Sequence, residues 1–320
     1  MKRHLNIVVT CTKRKTCPVD RELKLGTING RTVNELCSRW VERLRSNPAS
    51  RVEAEFLYAG DQWKIAATLP DVAAVGQMQA RLWVCSAGYG LIPASASIQP
   101  YSATFSPRHP DSIQQRKVGA GHEFLANWWS ELATWEGPVA GEPRTLQSLV
   151  DNDPKAPLIV VASPVYLAAM RADLDAAVIR LAHSDLLTII SAGAADIGTL
   201  QRNVLPCDGR LQAILGGALM SLNVRVARRL LESPLRWPLR CSQVATTFDA
   251  LLQDCPDLVR YDRSPLSDTE VREFILKHLI LNPNQRHSPL LRRLRDEGNA
   301  CEQKRFRALF QETQEAIGVK

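Results

Sequence analysis

The feature that most restricts the fold is a set of four short apolar runs, rich in β-branched residues, each ending at a small or polar loop. They are Leu5–Thr10 (LNIVVT), Arg81–Ser86 (RLWVCS), Leu158–Ala162 (LIVVA) and Leu186–Ile190 (LLTII). Near-continuous apolar runs of this length read as strands buried on both faces, as in a parallel sheet. Helical stretches separate them: about Val33 to Arg45, stopped by Asn47-Pro48, then Trp63–Ala67, Val75–Gln79, His122–Trp135, and a segment from Ser163 to about Arg180. Strands alternating with helices predict an α/β fold, a mainly parallel sheet flanked by helices. Glu53–Tyr58 reads as another short strand, Pro93–Pro110 as a long Ser/Pro-rich loop, and Leu205–Arg210 as a turn.

A length of 320 residues suits one large or two modest domains. Gly216–Leu231 reads as helical, and the prolines of Ser233–Pro238 mark a break. Beyond it, Ser267-Asp268-Thr269-Glu270 is a capping box that should start a helix reaching about Leu281, before Asn282-Pro283. Ser288-Pro289 starts a second helix that should end at Gly298. A third, opened by Asn299 and Glu302, carries Phe306, Leu309 and Phe310 on one face. The expected organisation is an α/β domain over 1–235 and a small helical, basic region over 236–320.

Apolar residues at 45% and charged residues at 23% exclude a disordered, collagen-like or coiled-coil chain. No apolar run approaches the ~20 residues that span a bilayer. The apolar stretch after Met1 stops at Thr10–Lys15, so no signal peptide is expected. The default is a soluble cytoplasmic protein with no membrane partner. The eight cysteines are scattered and none has CxxC spacing; the six histidines form no HxxxH set. Neither a metal nor a cofactor is expected. A Gly-x-Ser-x-Gly elbow, a phosphate-binding P-loop and a dinucleotide fingerprint are all absent.

Net charge is +7, and Arg286–Arg307 carries seven basic residues against three acidic ones. Arg292, Arg293, Arg295, Lys304, Arg305 and Arg307 are therefore candidate contacts to nucleic-acid phosphates.

Open parallel sheets bind ligands at the carboxyl ends of their strands. Four strand ends matter here: Cys11–Lys15, Cys85–Gly90, Ser163–Tyr166 and Ser191–Asp196. Cys11 precedes Thr12, Lys13, Arg14 and Lys15, and basic neighbours favour the thiolate of a cysteine. Thr12, Lys13 and Lys15 also suit a phosphate or purine. Ser86, Gly88, Tyr89 and Gly90 make a tight turn that lets backbone approach a ligand, with Tyr89 and Tyr101 available to stack on a base. Ser163, Tyr166, Ser191 and Gly193 are further candidate substrate contacts. Asp196 and Asp208 could orient a guanine-like ring or act in acid–base chemistry.

One ordered set of motifs carries a resemblance. The strand ending in Cys11-Thr12-Lys13-Arg14-Lys15 is followed by Leu57-Tyr58-Ala59-Gly60, then Ser86-Ala87-Gly88-Tyr89-Gly90-Leu91-Ile92, then Pro100-Tyr101 with Thr104-Phe105. Over about the first 110 residues this resembles a superfamily of bacterial and phage proteins. It includes relatives of the peroxide-stress protein YaaA and phage proteins linked to 7-deazaguanine DNA modification, and is distantly similar to tRNA-guanine transglycosylases. Ser191-Ala192-Gly193, Gly216-Gly217 and Leu222-Asn223 are similar to the DpdC-type member of the DNA-modification clusters. The resemblance implies conversion of 7-cyano-7-deazaguanine in DNA to the 7-amido base. The partners implied are double-stranded DNA bearing a modified guanine and other proteins of the same modification cluster. The zinc-binding cysteines of the transglycosylases have no counterpart here. In this reading Cys11, or failing that Cys85, adds to the nitrile to form a thioimidate. Lys13 or Lys15 assists, and Asp196 or Asp208 holds water or reads the base. Two alternatives stay open: glycosidic exchange or hydrolysis through Asp196 or Asp208, and a non-catalytic DNA-binding stress or defence protein.

Overall fold

The computed structural model describes residues 3–116, 121–193, 197–257 and 262–318. The chain divides into two compact units, Met1–Pro256 and Asp257–Lys320. In the first unit six strands form one sheet: β1 (Arg3–Thr10), β2 (Met78–Ser86), β3 (Gly90–Pro93), β4 (Leu158–Val161), β5 (Leu187–Ala192) and β6 (Val204–Cys207). Their order is β3-β2-β1-β4-β5-β6. Every neighbouring pair is parallel except the β2–β3 hairpin. Val9 of β1 lies between Val84 of β2 and Val161 of β4. All of β4 and the first five residues of β5 are buried, which is why these runs lack polar alternation.

The helices of this unit include α1 (Val33–Ser46), α2 (Asp61–Ala66), α3 (Gly121–Thr134), α4 (Pro164–Ala169), α5 (Arg171–Arg180), α6 (Leu222–Leu231) and α7 (Cys241–Gln253); further short helices include Leu69–Val75 and Leu146–Asn152. In α1, Thr32 caps the start by accepting from the Glu35 N–H at 3.1 Å. Leu36, Cys37, Trp40 and Leu44, spaced one helical turn apart, are its buried face. The architecture is α/β, with a mainly parallel sheet between helices.

Connectivity places the site. From β1 the chain crosses to β2 on one side, turns back through β3, and then returns to β4 on the other side of β1. The direction of winding reverses between β1 and β4. In an open α/β sheet that reversal leaves a crevice outside the carboxyl ends of the two strands.

Several local expectations change. Val75–Gln79 is not a helix: the helix there is Leu69–Val75, Gln77 takes a left-handed conformation (φ 58°), and Met78 opens β2. Within Glu53–Tyr58 only Val52–Glu53 is strand, pairing with Ser97–Ile98 out of the supposed loop, and Ala54–Leu57 is one helical turn. Leu205–Cys207 is not a turn but part of the edge strand β6, where pairing with β5 outweighs the proline. The helix expected over 216–231 starts only at Leu222, after Gly216 and Gly217.

The division at 256/257 falls later than 235/236. Cys241, Val244 and Phe248 of α7 are buried in the core of the first unit, so that helix belongs to it. The second unit holds α8 (Asp268–Leu281), α9 (His287–Asp296) and α10 (Gln303–Ala316). The capping box forms: Ser267 N–H donates to Glu270 Oε2 at 2.7 Å, and Glu270 N–H to Ser267 Oγ at 3.3 Å. Val271, Ile275, Leu279, Leu290, Leu294, Phe306, Leu309 and Phe310 build its separate core. Among the described residues no helix is long and apolar enough to cross a membrane.

Candidate active site

β1 delivers Cys11 to the β1–β4 crevice, and the Cys11 N–H extends the ladder by donating to Cys85 O at 2.9 Å. The basic loop that follows is fixed rather than loose. Thr12 Oγ donates to Arg14 O and Ala59 O at 3.1 and 3.0 Å, and the Ala59 N–H returns a bond to Arg14 O at 3.0 Å. Across the crevice, α4 begins directly after β4 with Pro164 at its first position. One turn in, α4 presents Tyr166, whose hydroxyl lies 3.2 Å from Cys11 Sγ.

Lys15 points inward. Its Nζ donates to Thr12 O at 2.6 Å and stands 4.9 and 4.7 Å from the ring centres of Tyr58 and Tyr101. The tyrosine faces supply the negative side of a cation–π contact. Burial pulls the Lys15 pKa down, and the charge on Cys11 opposes that shift.

Behind Lys15 runs a hydroxyl chain. Ser86 Oγ accepts the N–H groups of Gly88 and Tyr89 at 3.2 and 2.9 Å. Its own proton is therefore directed to Tyr101 Oη, at 2.6 Å. Tyr101 Oη in turn lies 3.0 Å from Tyr58 Oη. Burial raises the pKa of Tyr58, Tyr101 and Tyr166 well above the usual phenol range, so all three hold their protons at neutral pH. Negative charge on the neighbouring Cys11 sulfur would add to each shift.

The other candidates fall differently. Cys85 is 0% exposed, its Sγ sits 3.0 Å from Met170 Sδ, and burial pushes its thiol well up. A protonated, inaccessible thiol is no nucleophile, so Cys11 stands alone. Tyr89 and Tyr101, 1% and 0% exposed, offer no face for a base to stack on. Tyr89 Oη donates to Gln99 Oε1 at 2.8 Å. The glycine turn serves packing rather than a ligand. A Cβ on Gly88 would stand 2.5 Å from the Tyr101 ring, and Gly90 sits at φ 73°. Trp40 and Trp128 clamp the turn through bonds to Gly88 O and Ala87 O at 2.7 and 2.9 Å.

Ser163 is the N-cap residue of α4, and its carbonyl accepts the Tyr166 N–H at 3.0 Å. Ser191 is buried on β5, its Oγ without a hydrogen-bond partner among the described residues. Gly193 follows at φ 66°, and Asp196 lies outside the described residues. Asp208 is engaged by Arg210 through N–H and Nε at 2.9 and 2.8 Å, and these contacts hold its carboxyl below the usual range. It follows β6, three strand spacings from β1, or roughly 14 Å. Lys13 and Arg14 are exposed.

Sequence reading missed Tyr58 as a site residue, although Tyr58-Ala59-Gly60 stood out as a motif. It also missed Asp61 at the start of α2, which accepts from Ser221 Oγ at 2.6 Å and pairs with Arg225 at 2.9 Å. No group of three or more metal-ligating side chains occurs among the described residues.

In the second unit the six basic candidates separate. Arg305 pairs with Asp268 at 2.5 Å and donates to Leu266 O at 2.9 Å. Arg295 donates to Cys301 O at 2.9 Å, and Arg293 pairs with Glu297 at 3.2 Å. Arg292, Lys304 and Arg307 are exposed and in no ion pair among the described residues.

No protein-family model, curated protein or solved structure matches this chain.

Proposed function

We propose that the first unit is a cysteine enzyme that hydrates the nitrile of 7-cyano-7-deazaguanine in DNA to the 7-amido base. The observation that carries this reading is the Cys11 thiol at the reversal point of the sheet, 3.2 Å from a buried phenol. A buried ammonium lies on the tyrosines beside it. A nucleophile with a protonated neighbour that can feed a proton to the substrate is the pairing that addition to a C≡N bond requires.

In the first step Cys11 Sγ bonds to the nitrile carbon. The thiol proton passes to Tyr166 Oη as Tyr166 gives its own proton to the nitrile nitrogen, leaving a thioimidate. Water then adds to the thioimidate carbon and one of its protons goes to nitrogen. The carbon–sulfur bond breaks, the other water proton returns to sulfur, and the amide is released. The sum is nitrile plus water to carboxamide. Lys15 places positive charge beside the reacting sulfur, and its tyrosine seat fixes that charge before substrate arrives. Glycosidic chemistry through Asp208 gains no support, since its carboxylate is already engaged by Arg210.

The test is nucleoside mass spectrometry on DNA carrying 7-cyano-7-deazaguanine after incubation with the protein. The expected result is a gain of one water on the modified nucleoside, abolished by Cys11→Ser. An unchanged nucleoside with wild-type protein, or full conversion by Cys11→Ser, overturns the reading.

A further inference from the structure

An enzyme acting on a base inside duplex DNA must take that base out of the stack. An apolar side chain inserted between base steps is one way proteins hold such a gap open. We propose that Leu219 and Met220, just before α6, form an apolar wedge that enters duplex DNA and holds the target base extruded over the Cys11 crevice. This inference rests on the proposed action on DNA.

The segment is at the rim of the crevice and tied to it. Ser221, the next residue, donates to Asp61 Oδ2 at 2.6 Å. Asp61 follows Ala59 and Gly60, and Ala59 O accepts from Thr12 Oγ, next to Cys11. Arg225 Nη2 also binds both Asp61 oxygens, at 2.9 and 3.1 Å. The tip is thus linked by side-chain bonds to the loop that carries the nucleophile.

Its exposure has no packing reason. Met220 is 85% exposed, Leu219 56%, and nearby Ile214 42%. Exposed Phe56 (64%), Val75 and Ile179 each stand far from any other such residue in sequence. Within the described residues of the first unit, only 214–220 brings three of them together within seven residues. The tip is also braced: Gly216 and Gly217 turn the chain at φ 67° and 72°, and Gln212 Nε2 donates to Gly217 O at 2.7 Å. A braced apolar tip loses little conformational freedom on insertion.

The Cys11 loop to which the tip is tied is itself cationic, with Lys13 and Arg14 exposed. Cations that meet phosphates beside a Leu or Met that enters a base step are the two components proteins use to unstack and kink duplex DNA.

The test uses full-length protein and three DNAs carrying 7-cyano-7-deazaguanine: a duplex, the same strand alone, and a duplex with 2-aminopurine next to the modified base. Leu219→Ala/Met220→Ala should lose about tenfold or more in duplex conversion, since unstacking costs a few kcal/mol, while single-strand conversion stays within about twofold. The wild type should raise 2-aminopurine fluorescence and the double variant should not. Leu219→Met/Met220→Leu should behave as wild type. Equal duplex conversion and fluorescence by the alanine variant overturn the wedge. So does loss of a dimer in that variant with DNA handling unchanged, which gives the tip to a second copy of the chain. Wild-type fluorescence gain without any conversion keeps the wedge and removes the nitrile chemistry. Single-strand conversion without duplex fluorescence gain does the reverse.

Discussion

The two units handle polarity in opposite ways. In the first, phenols, thiols and a serine are gathered at the carboxyl edge of the sheet, where Ser86, Tyr101 and Tyr58 satisfy one another. In the second, the core is aliphatic and phenylalanine. Among the described residues its buried His278 and Thr313 bond to carbonyls of the preceding turn, Phe274 O and Leu309 O, at 2.8 and 2.7 Å. Burying polar groups costs free energy unless each finds a partner. A fold that concentrates them at one strand edge, with shifted pKa values, marks that edge for chemistry.

The two units should part most clearly at Cys11. Cys11→Ser should cut conversion by about three orders of magnitude with the thermal transitions unmoved, and Tyr166→Phe by about two. Rate measurements beside melting curves check this; a Tyr166→Phe enzyme at full rate would remove the proton relay. In the second unit, Phe306→Ala should cost about 3–5 kcal/mol by opening a cavity in a small core. Calorimetry should show one transition falling and the other holding. Two transitions falling together would mean that the units do not fold separately.

Alkaline pH should widen the difference. Tyr58, Tyr101, Tyr166 and Cys85 have folded pKa values above their ordinary ranges, and burial takes Cys37 and Cys207 to about 12. Above about pH 9 the unfolded chain loses these protons while the folded unit keeps them. The unfolded state then binds fewer protons, so stability falls as pH rises, at up to about 1.4 kcal/mol per pH unit for each group. Lys15 and Arg144 work the other way, because burial lowers their folded pKa values, but the raised groups, which also include Tyr89, Cys241 and Cys255, outnumber them. The first unit should lose stability in denaturant titrations from pH 9 upward. The second, in which Cys301 is the one raised thiol among the described residues, should respond far less. Tyr58→Phe should flatten the first unit's slope.

The smallest effect is expected on the second unit's surface. Replacing Arg292, Lys304 and Arg307 with Ala should weaken binding to any duplex and lower the salt slope by about 0.9 for each phosphate no longer neutralised. Arg305→Ala should instead lower stability, because it removes the ion pair with Asp268 and the bond to Leu266 O. Fluorescence titration across salt concentrations separates the two outcomes.

Much of the fold was legible because strand and cap signals are local. The runs at β1, β2, β4 and β5 announce buried strands through burial of consecutive residues. Ser267 and Glu270 announce α8 through bonds three residues apart. Such patterns depend on chain period and near neighbours, which a sequence states outright. Cys11 and its basic loop were legible for the same reason, since both follow directly from the end of β1. The partners of Cys11 were not. Tyr166 lies 155 residues from it and reaches it only because β4 returns to the far side of β1. Strand order also decided that Cys85, in register with Thr10 next door, is sealed while Cys11 is open. Local pattern alone determined most of the strands and helices and the loop on which a nucleophile stands. Tertiary structure decided which cysteine, which tyrosines and which cations meet, because burial and distant contact come from how strands are ordered rather than from what each contains.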